Sequence, residues 1–189
     1  MNREKVGSAF LVVLLIVSGA IALWGDQQPI TFRRPAFRRV TSETTAHRIG
    51  APKRMAMLFF ADKNHRDLLE EAREIEGGAT ATEDAKRILE ELVKGPEADL
   101  MPVVPRAARV RNLFVDASGT AYVDFDRELT EGHSGGAREE LFTVYSIVNT
   151  LAANLSQIKR VQILVDGVGV PTLAGDVDTR EPLTPRFTF

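Results

Sequence analysis

The segment from Ala137 to Asp178 constrains the fold of this 189-residue chain most, because a long amphipathic helix is followed at once by a strand. Spaced at 100° per residue, seven apolar side chains fall within roughly 120°, the width of a core-facing helix stripe. These residues are Leu141, Val144, Tyr145, Val148, Leu151, Ala152 and Leu155. Residues 161–165 then alternate apolar with polar side chains such as Gln162, which predicts a strand with one wet face. Asp166-Gly167 predicts its end.

Upstream patterning predicts further strands. The continuous apolar run of residues 55–61 is typical of a central strand covered on both faces. Residues 110–115 and 121–125, joined by a turn-forming segment, predict a hairpin. For residues 68–75, periodicity alone favours a short helix.

A second helix is predicted over residues 80–94. Thr80 and Glu83 match a capping box at its start, and Gly95-Pro96 is a stop signal at its end. Prolines at 102 and 105 then predict an extended connector.

The N-terminal segment, residues 1–25, is interpreted as a membrane anchor. Val6 to Trp24 contains nineteen uncharged residues, and a helix of that length would reach about 28 Å, close to the hydrocarbon thickness of a bilayer. A cleaved signal peptide is the alternative, since Arg3 and Lys5 precede the apolar run and Ala20-Ile21-Ala22 resembles a cleavage site. The length of the run and Trp24 favour a retained anchor.

Residues 26–54 are interpreted as a linker, because prolines interrupt them and seven Lys/Arg stand against two acids. Under the positive-inside rule, the arginines that follow the anchor favour a cytoplasmic location for the C-terminal part of the chain. A short basic tail before an apolar run is instead typical of export, which places that part outside the cytoplasm. We therefore expect a single-pass protein of the inner (cytoplasmic) membrane with its C-terminal domain on the extracytoplasmic, periplasmic side. Residues 55–189 carry a net charge of −8, which argues against a nucleic-acid partner.

The absence of cysteine excludes structural disulfides, cysteine-based metal sites and thiol catalysis. Among the remaining motifs, Gly132-His133-Ser134-Gly135-Gly136 matches the G-x-S-x-G nucleophile elbow of α/β hydrolases. All three histidines precede Ser134 and no strand runs into it, so a serine hydrolase is disfavoured. A glycine loop with Ser134 as a helix cap, and at most a weak anion site, is the simpler interpretation.

Two groups of acids are candidate sites. Asp124, Asp126, Glu128 and Glu131 would suit glycoside hydrolysis if a cleft held two of them at the right separation, but Asp124 and Asp126 are expected on a solvated sheet face beside Tyr122. Asp166, Asp176 and Asp178 lack the spacing of a calcium loop, so turn and capping roles are favoured. We predict no catalytic residue, cofactor or metal, with Tyr122 and Phe142 as a candidate aromatic spot for a glycan or partner.

Several ordered motifs together resemble a GerMN domain, a domain of sporulation and spore-germination proteins, over about residues 55–185. They are Lys94-Gly95-Pro96, the Pro102 and Pro105 connector, the glycine loop before Glu139-Glu140, Ser146 to Leu151, Val161 to Gly167 and Thr172 to Asp178. In that family the segment matching residues 68–75 is a strand with an acid-x-Arg pattern, here Glu71-Ala72-Arg73. The resemblance therefore predicts a strand where periodicity favours a helix.

The fold implied for residues 55–189 is α+β, a mixed sheet of about five strands with two helices on one face in the order β-β-α-β-β-α-β, similar to ring-building modules of secretion and sporulation channels. The resemblance implies no catalytic residue and placement at the outer face of a membrane. This chain has one such domain where the spore protein has a tandem pair, and a helical anchor where many members are lipoproteins. Since the domain also occurs in bacteria that form no spores, a sporulation role does not follow.

Three functional hypotheses follow. The first is a membrane-anchored, non-catalytic assembly module that packs against copies of itself or other envelope proteins. The second is a module that binds the cell wall, peptidoglycan or another polysaccharide, through the face of Tyr122 and Asp124. The third, least favoured, is an enzyme that uses Asp124 and Glu128, or Ser134.

Overall fold

The computed structural model describes residues 52–189. The predicted anchor, residues 1–25, and nearly all of the predicted linker lie outside the described residues. Within residues 52–189, every helix is too short or too polar to traverse a bilayer.

Six strands and three helices make up the described part of the chain. The helices are α1 (Ala81–Lys94), α2 (Glu128–Glu131) and α3 (Ala137–Asn154). The strands are β1 (Lys53–Ala61), β2 (Leu68–Glu76), β3 (Val110–Val115), β4 (Thr120–Phe125), β5 (Arg160–Val165) and β6 (Val168–Gly169). The α+β class is confirmed, and β2 confirms the strand that the resemblance favoured over the helix expected from periodicity.

The strands divide between two sheets, so the prediction of one sheet of about five strands is wrong. β1 and β2 form an antiparallel pair, while the second sheet has the order β3-β4-β5-β6. In that sheet β4 and β5 run parallel and the other neighbours antiparallel. All five expected strands are present, and β6 is a short addition.

Side chains of α3 explain why β1 is not a central strand. The Met57 N–H donates to Asn154 Oδ1 at 2.9 Å, and the Asn154 amide returns a bond of 2.7 Å to the Met57 carbonyl. The Phe59 N–H donates to Thr150 Oγ1 at 3.2 Å, and Ser146 Oγ donates to the Phe59 carbonyl at 2.6 Å. Because Ser146, Thr150 and Asn154 are spaced four residues apart, they share one helix face. The side chains on that face hydrogen-bond the outward-pointing backbone groups of Met57 and Phe59, so this part of β1 needs no neighbouring strand.

α3 is buried over a wider arc than the predicted stripe. Leu141 and Tyr145 of that stripe are half-exposed, whereas Phe142 and Ile147 outside it are 1% and 0% exposed. The helix packs against β1, α1 and β5, and the ring of Phe142 also contacts Phe189 near the end of the chain. A helix covered on several sides has no simple wet face.

α1 starts where its capping signal predicts. Thr80 Oγ1 accepts the Glu83 N–H at 3.2 Å, and Glu83 reaches back to the Ala79 N–H at 2.7 Å. The helix buries Ala85, Ile88, Leu89 and Leu92 in the main core. In β2, Glu71, Arg73 and Ile75 are buried on one face, and this arrangement positions the charged pair described below.

Candidate functional site

The glycine loop lies beside a cavity of about 250 Å³ lined by His65, Arg106, His133, Ser134, Glu139, Thr143, Gly132 and residues 102–105. His133 is held on both ring nitrogens: Nδ1 accepts the Gly135 N–H at 2.9 Å, and Nε2 lies 3.0 Å from Thr143 Oγ1. The Thr143 hydroxyl donates to a backbone carbonyl, so His133 carries its proton on Nε2. No hydrogen bond joins His133 to Ser134 among the described residues, and the pairing of nucleophile and base that a hydrolase needs is not formed.

Ser134 does not cap α3. The capping position is Gly136, with φ 97°, and no side chain caps it. The Ser134 cap interpretation is therefore wrong, because the chain reaches the helix through two consecutive glycines with positive φ, Gly135 and Gly136, a conformation that non-glycine residues rarely adopt.

Asp124 is buried, contrary to the prediction of a solvated face. Its side chain accepts the Gly167 N–H at 2.6 Å in the turn between β5 and β6, and Arg111 Nε lies 3.9 Å from its second oxygen. Arg111 also pairs with Asp166, the left-handed residue of the same turn (φ 49°). This carboxylate is thus used to fix a turn.

Two other acids considered from the sequence, Asp126 and Asp178, bind a backbone group and an exposed guanidinium. Asp126 accepts the Arg109 N–H at 3.0 Å. Asp178 pairs with the exposed Arg180 at 2.6 Å, and that hydrogen-bonded guanidinium lowers the pKa of Asp178 to about 2. Within residues 52–189, no three His, Asp or Glu side chains are grouped to hold a metal ion.

The buried carboxylate of Glu140 was not selected from the sequence as a site residue. It is 0% exposed and accepts the N–H groups of Leu173 at 2.6 Å, Ala174 at 2.9 Å and Asp176 at 2.6 Å. Burial raises the pKa of Glu140, but these backbone hydrogen bonds together outweigh burial and lower it below its ordinary value of 4.5. Glu140 therefore anchors the loop after β6 as an ionised group.

Glu71 and Arg73 form a second anchor, on β2. Glu71 accepts the N–H groups of Glu97 at 3.0 Å and Ala98 at 2.7 Å and pairs with Arg73, whose guanidinium donates to the Gly95 carbonyl at 2.9 Å. Burial raises the pKa of Glu71, but the Ala98 and Arg73 bonds and the remaining contacts lower it overall. The acid-x-Arg pattern thus fastens the segment that follows α1. Its sequence signal is the placement of two opposite charges on one strand face.

An aromatic pair on β3 and β4 joins an exposed ring to a half-buried one. Phe114 is 62% exposed and stacks on Tyr122 with ring centroids 6.3 Å apart and planes inclined by 30°. The predicted pairing of Tyr122 with Phe142 is wrong, because Phe142 is 1% exposed and belongs to a hydrophobic cluster with Phe59. The hairpin register, in which Phe114 faces Tyr122, could have identified the correct partner.

The family described as "Sporulation and spore germination", Germane, matches residues 57–170. The chain belongs to this family. Two solved GerMN structures are similar to it, both from the Bacillus subtilis sporulation protein GerM. The first GerM domain has a TM-score of 0.54 and 24% identity over 69% of this chain and 97% of that one. The tandem GerM domains have a TM-score of 0.52 and 19% identity over 73% of this chain and 46% of theirs.

A lipoprotein candidate from Clostridium perfringens has the same fold, with a TM-score of 0.52 and 21% identity over 72% of this chain and 89% of that one. No curated protein is significantly similar in sequence. At these identities the solved structures support the fold of the GerMN domain alone.

The motifs that carry the GerMN resemblance have structural roles in this chain. The acid-x-Arg pair binds the Gly95 segment, and the glycine loop leads into α3. Backbone N–H groups of residues 172–178 donate to the Glu140 carboxylate. The 146–151 motif supplies Ser146 and Thr150, which close the edge of β1, and Asn149, which bonds the backbone of Arg186 at 2.9 Å. These hydrogen bonds hold loops and strand edges in place.

Proposed function

We propose that this chain is a membrane-anchored, extracytoplasmic GerMN-domain protein that serves as a non-catalytic assembly or interaction module of the bacterial envelope. The observation that carries the proposal is the use of its buried ionisable groups. Glu71, Asp124 and Glu140 each accept hydrogen bonds from the backbone of a loop distant in sequence. A fold that uses its buried charge in this way presents a rigid surface, as an assembly module requires.

Membrane attachment is supported by the sequence. The apolar run from Val6 to Trp24 has the length of a bilayer-spanning helix, and the short basic tail before it has the form of an export signal. The partners proposed are copies of this chain or other envelope proteins, reached through a domain held near the membrane by the linker.

Topology and association can be tested in the same membranes. Reporter fusions after Phe189 should be active for a reporter that functions only outside the cytoplasm and inactive for one that functions only inside it. Crosslinking of the full chain in its membranes should give adducts larger than the monomer. The reverse reporter pattern would contradict the extracytoplasmic placement, and a chain that is monomeric at every crosslinker length would contradict the assembly role.

A cell-wall binding role is the second candidate, favoured by the stack of the exposed Phe114 on the half-buried Tyr122. Exposed aromatic rings offer flat apolar surface with a polar edge, suited to sugar rings. Asp124 cannot share this role, since it is 6% exposed. Purified peptidoglycan should retain the full chain and lose it on Phe114→Ala or Tyr122→Ala, while Phe187→Ala, which removes a ring 54% exposed elsewhere, should not change retention. Equal retention of all variants would contradict this role.

A further inference from the structure

Strand β2 has an outer edge that faces away from β1. At the two ends of the β1-β2 hairpin, the Asp62 N–H donates to the Asp67 carbonyl at 3.0 Å and the Gly77 N–H donates to the Pro52 carbonyl at 2.8 Å. In an antiparallel pair, residues alternate between those that bond the partner strand and those whose backbone points away. Counting inward in the observed register places the N–H and C=O groups of alternate β2 residues on the outer edge. These residues are Glu70, Ala72 and Glu74.

The same alternation applies to β1, where hydrogen bonds to other elements confirm it. It assigns outward-pointing backbone to Met57, Phe59 and Ala61, and these three residues bond α3 side chains or the backbone of Met101. The edge of β1 from Met57 to Ala61 is therefore closed by the fold itself.

The edge of β2 has no such closure among residues 52–189. No hydrogen bond within that range reaches the backbone of Glu70, Ala72 or Glu74, and all three residues are exposed. An unpaired edge of this kind is a template for another strand unless side chains oppose pairing.

The side chains beside this edge specify a partner. Glu70, Ala72 and Glu74 share a sheet face with Phe59, Met57 and Met55, their cross-strand neighbours on β1, and Met55 is 60% exposed. Two carboxylates thus flank a small apolar residue next to exposed methionine. The carboxylate of Glu74 forms an exposed ion pair with Lys53 at 2.8 Å, a surface contact that a basic partner can replace. A second copy of β2 is a poor partner, since antiparallel pairing about Ala72 would place Glu70 opposite Glu74 twice, and directly opposed like charges destabilise a sheet.

We propose that the outer edge of β2 binds an extended basic segment of another protein by strand addition. The segment fitted by this edge carries Lys or Arg two residues on each side of an apolar residue, so that the cations lie beside Glu70 and Glu74 and the apolar side chain lies over Ala72 and Met57. Backbone hydrogen bonds supply the affinity and the alternate side chains supply the choice of partner. This inference rests on the proposed interaction role and names the kind of partner.

The probe is a short labelled peptide with the sequence Thr-Arg-Thr-Val-Thr-Arg-Thr. The matched control peptide has glutamate in place of each arginine. With the full chain in detergent micelles, fluorescence anisotropy should show saturable binding of the arginine peptide and none of the glutamate peptide. Hydrogen exchange should slow at the amides of Glu70, Ala72 and Glu74 when the arginine peptide is bound.

Two variants separate this edge from general charge attraction. Glu70→Lys/Glu74→Lys should lower the affinity by about tenfold or more, as expected when two opposite-charge pairs become like-charge pairs. The control Glu90→Lys/Glu181→Lys changes the net charge equally at exposed positions away from the edge and should stay within about twofold. Ala72→Pro removes one edge N–H at a position where β1 pairing does not use it, and should also weaken binding.

Absence of saturable binding to the wild-type chain, equal binding by the Glu70→Lys/Glu74→Lys variant, or protection of amides outside β2 would each overturn the inference. If Ala72→Pro fails to fold, the charge variants decide alone. Failure here with persistent crosslinking in membranes would refute the β2 edge as the contact and leave the assembly role standing. Failure of crosslinking would refute the assembly role itself.

Discussion

Replacing the buried Glu140 with glutamine removes a carboxylate on which a loop depends. Its Oε1 accepts the N–H groups of Leu173 and Ala174 and its Oε2 accepts that of Asp176, at 2.6 to 2.9 Å. Glutamine can keep one oxygen on two of these amides and presents an NH₂ group to the third. A hydrogen bond to a charged group contributes about 1.5–3 kcal/mol and a buried unpaired donor costs about 1–3 kcal/mol, so we expect Glu140→Gln to lower the free energy of unfolding by about 2–4 kcal/mol at pH 7.

The pH dependence of this loss has a definite sign. Burial raises the pKa of Glu140 but its backbone hydrogen bonds lower it overall below 4.5, so the carboxylate contributes stability above the pKa of the unfolded chain. That contribution is lost as the pH falls through the lower pKa of the folded chain. The difference between wild type and Glu140→Gln should therefore shrink below pH 4.5.

Urea unfolding of the full chain in non-ionic micelles, followed by far-UV circular dichroism, measures both effects. Glu131→Gln, the same change at an exposed position on α2, should stay within about 0.5 kcal/mol of wild type. Equal stability of Glu140→Gln and wild type at pH 7, or a difference that does not shrink with acid, would refute the anchoring role.

Three further predictions concern other parts of the domain. Thr150→Val keeps the side-chain shape but leaves the buried Phe59 N–H unpaired, so it should cost about 1–3 kcal/mol and speed exchange of that amide; unchanged exchange would show that Thr150 does not close the edge. Gly119→Ala places a Cβ 2.5 Å from the Gln157 carbonyl at a φ of 85° and should lower the thermal midpoint, whereas an unchanged midpoint would mean that the turn relaxes freely. Phe189→Ala removes two edge-on ring contacts, each expected to contribute about 0.5–1.5 kcal/mol, and should increase proteolysis near the C-terminal end; an unaltered cleavage pattern would contradict its packing role.

Local patterns predicted the elements well because their causes are local. The capping residues of α1 start the helix at the expected residue, and the two runs 110–115 and 121–125 with the turn-forming segment between them give the hairpin. The segment 68–76 shows the limit of periodicity, since Leu68, Leu69, Ala72 and Ile75 have helical spacing in a strand. Its burial is decided by Glu71 and Arg73, which bind a segment more than twenty residues away.

The candidate sites were harder to predict because the decisive partners are backbone groups distant in sequence. Glu140 has the sequence appearance of a charge favoured in the first turn of a helix, but its partners lie more than thirty residues later. Asp124 shares a strand face with Tyr122, as expected of a solvent-exposed face, but the turn after β5 buries it. Ser146 and Thr150 resemble a polar stripe, although they replace a neighbouring strand for β1. Such contacts leave no periodic pattern in the local sequence.

The most direct measurement of the central claim is site-specific photocrosslinking of the full chain in its native membranes, with the photoreactive residue at Ala72 on the β2 edge and, as the control, at Ala153 on the exposed side of α3. An assembly module that binds a basic segment through its β2 edge predicts one discrete adduct at Ala72, with a partner whose crosslinked peptide is basic and extended, and none at Ala153. Monomer alone at both positions, or the same adducts at both, would contradict the account.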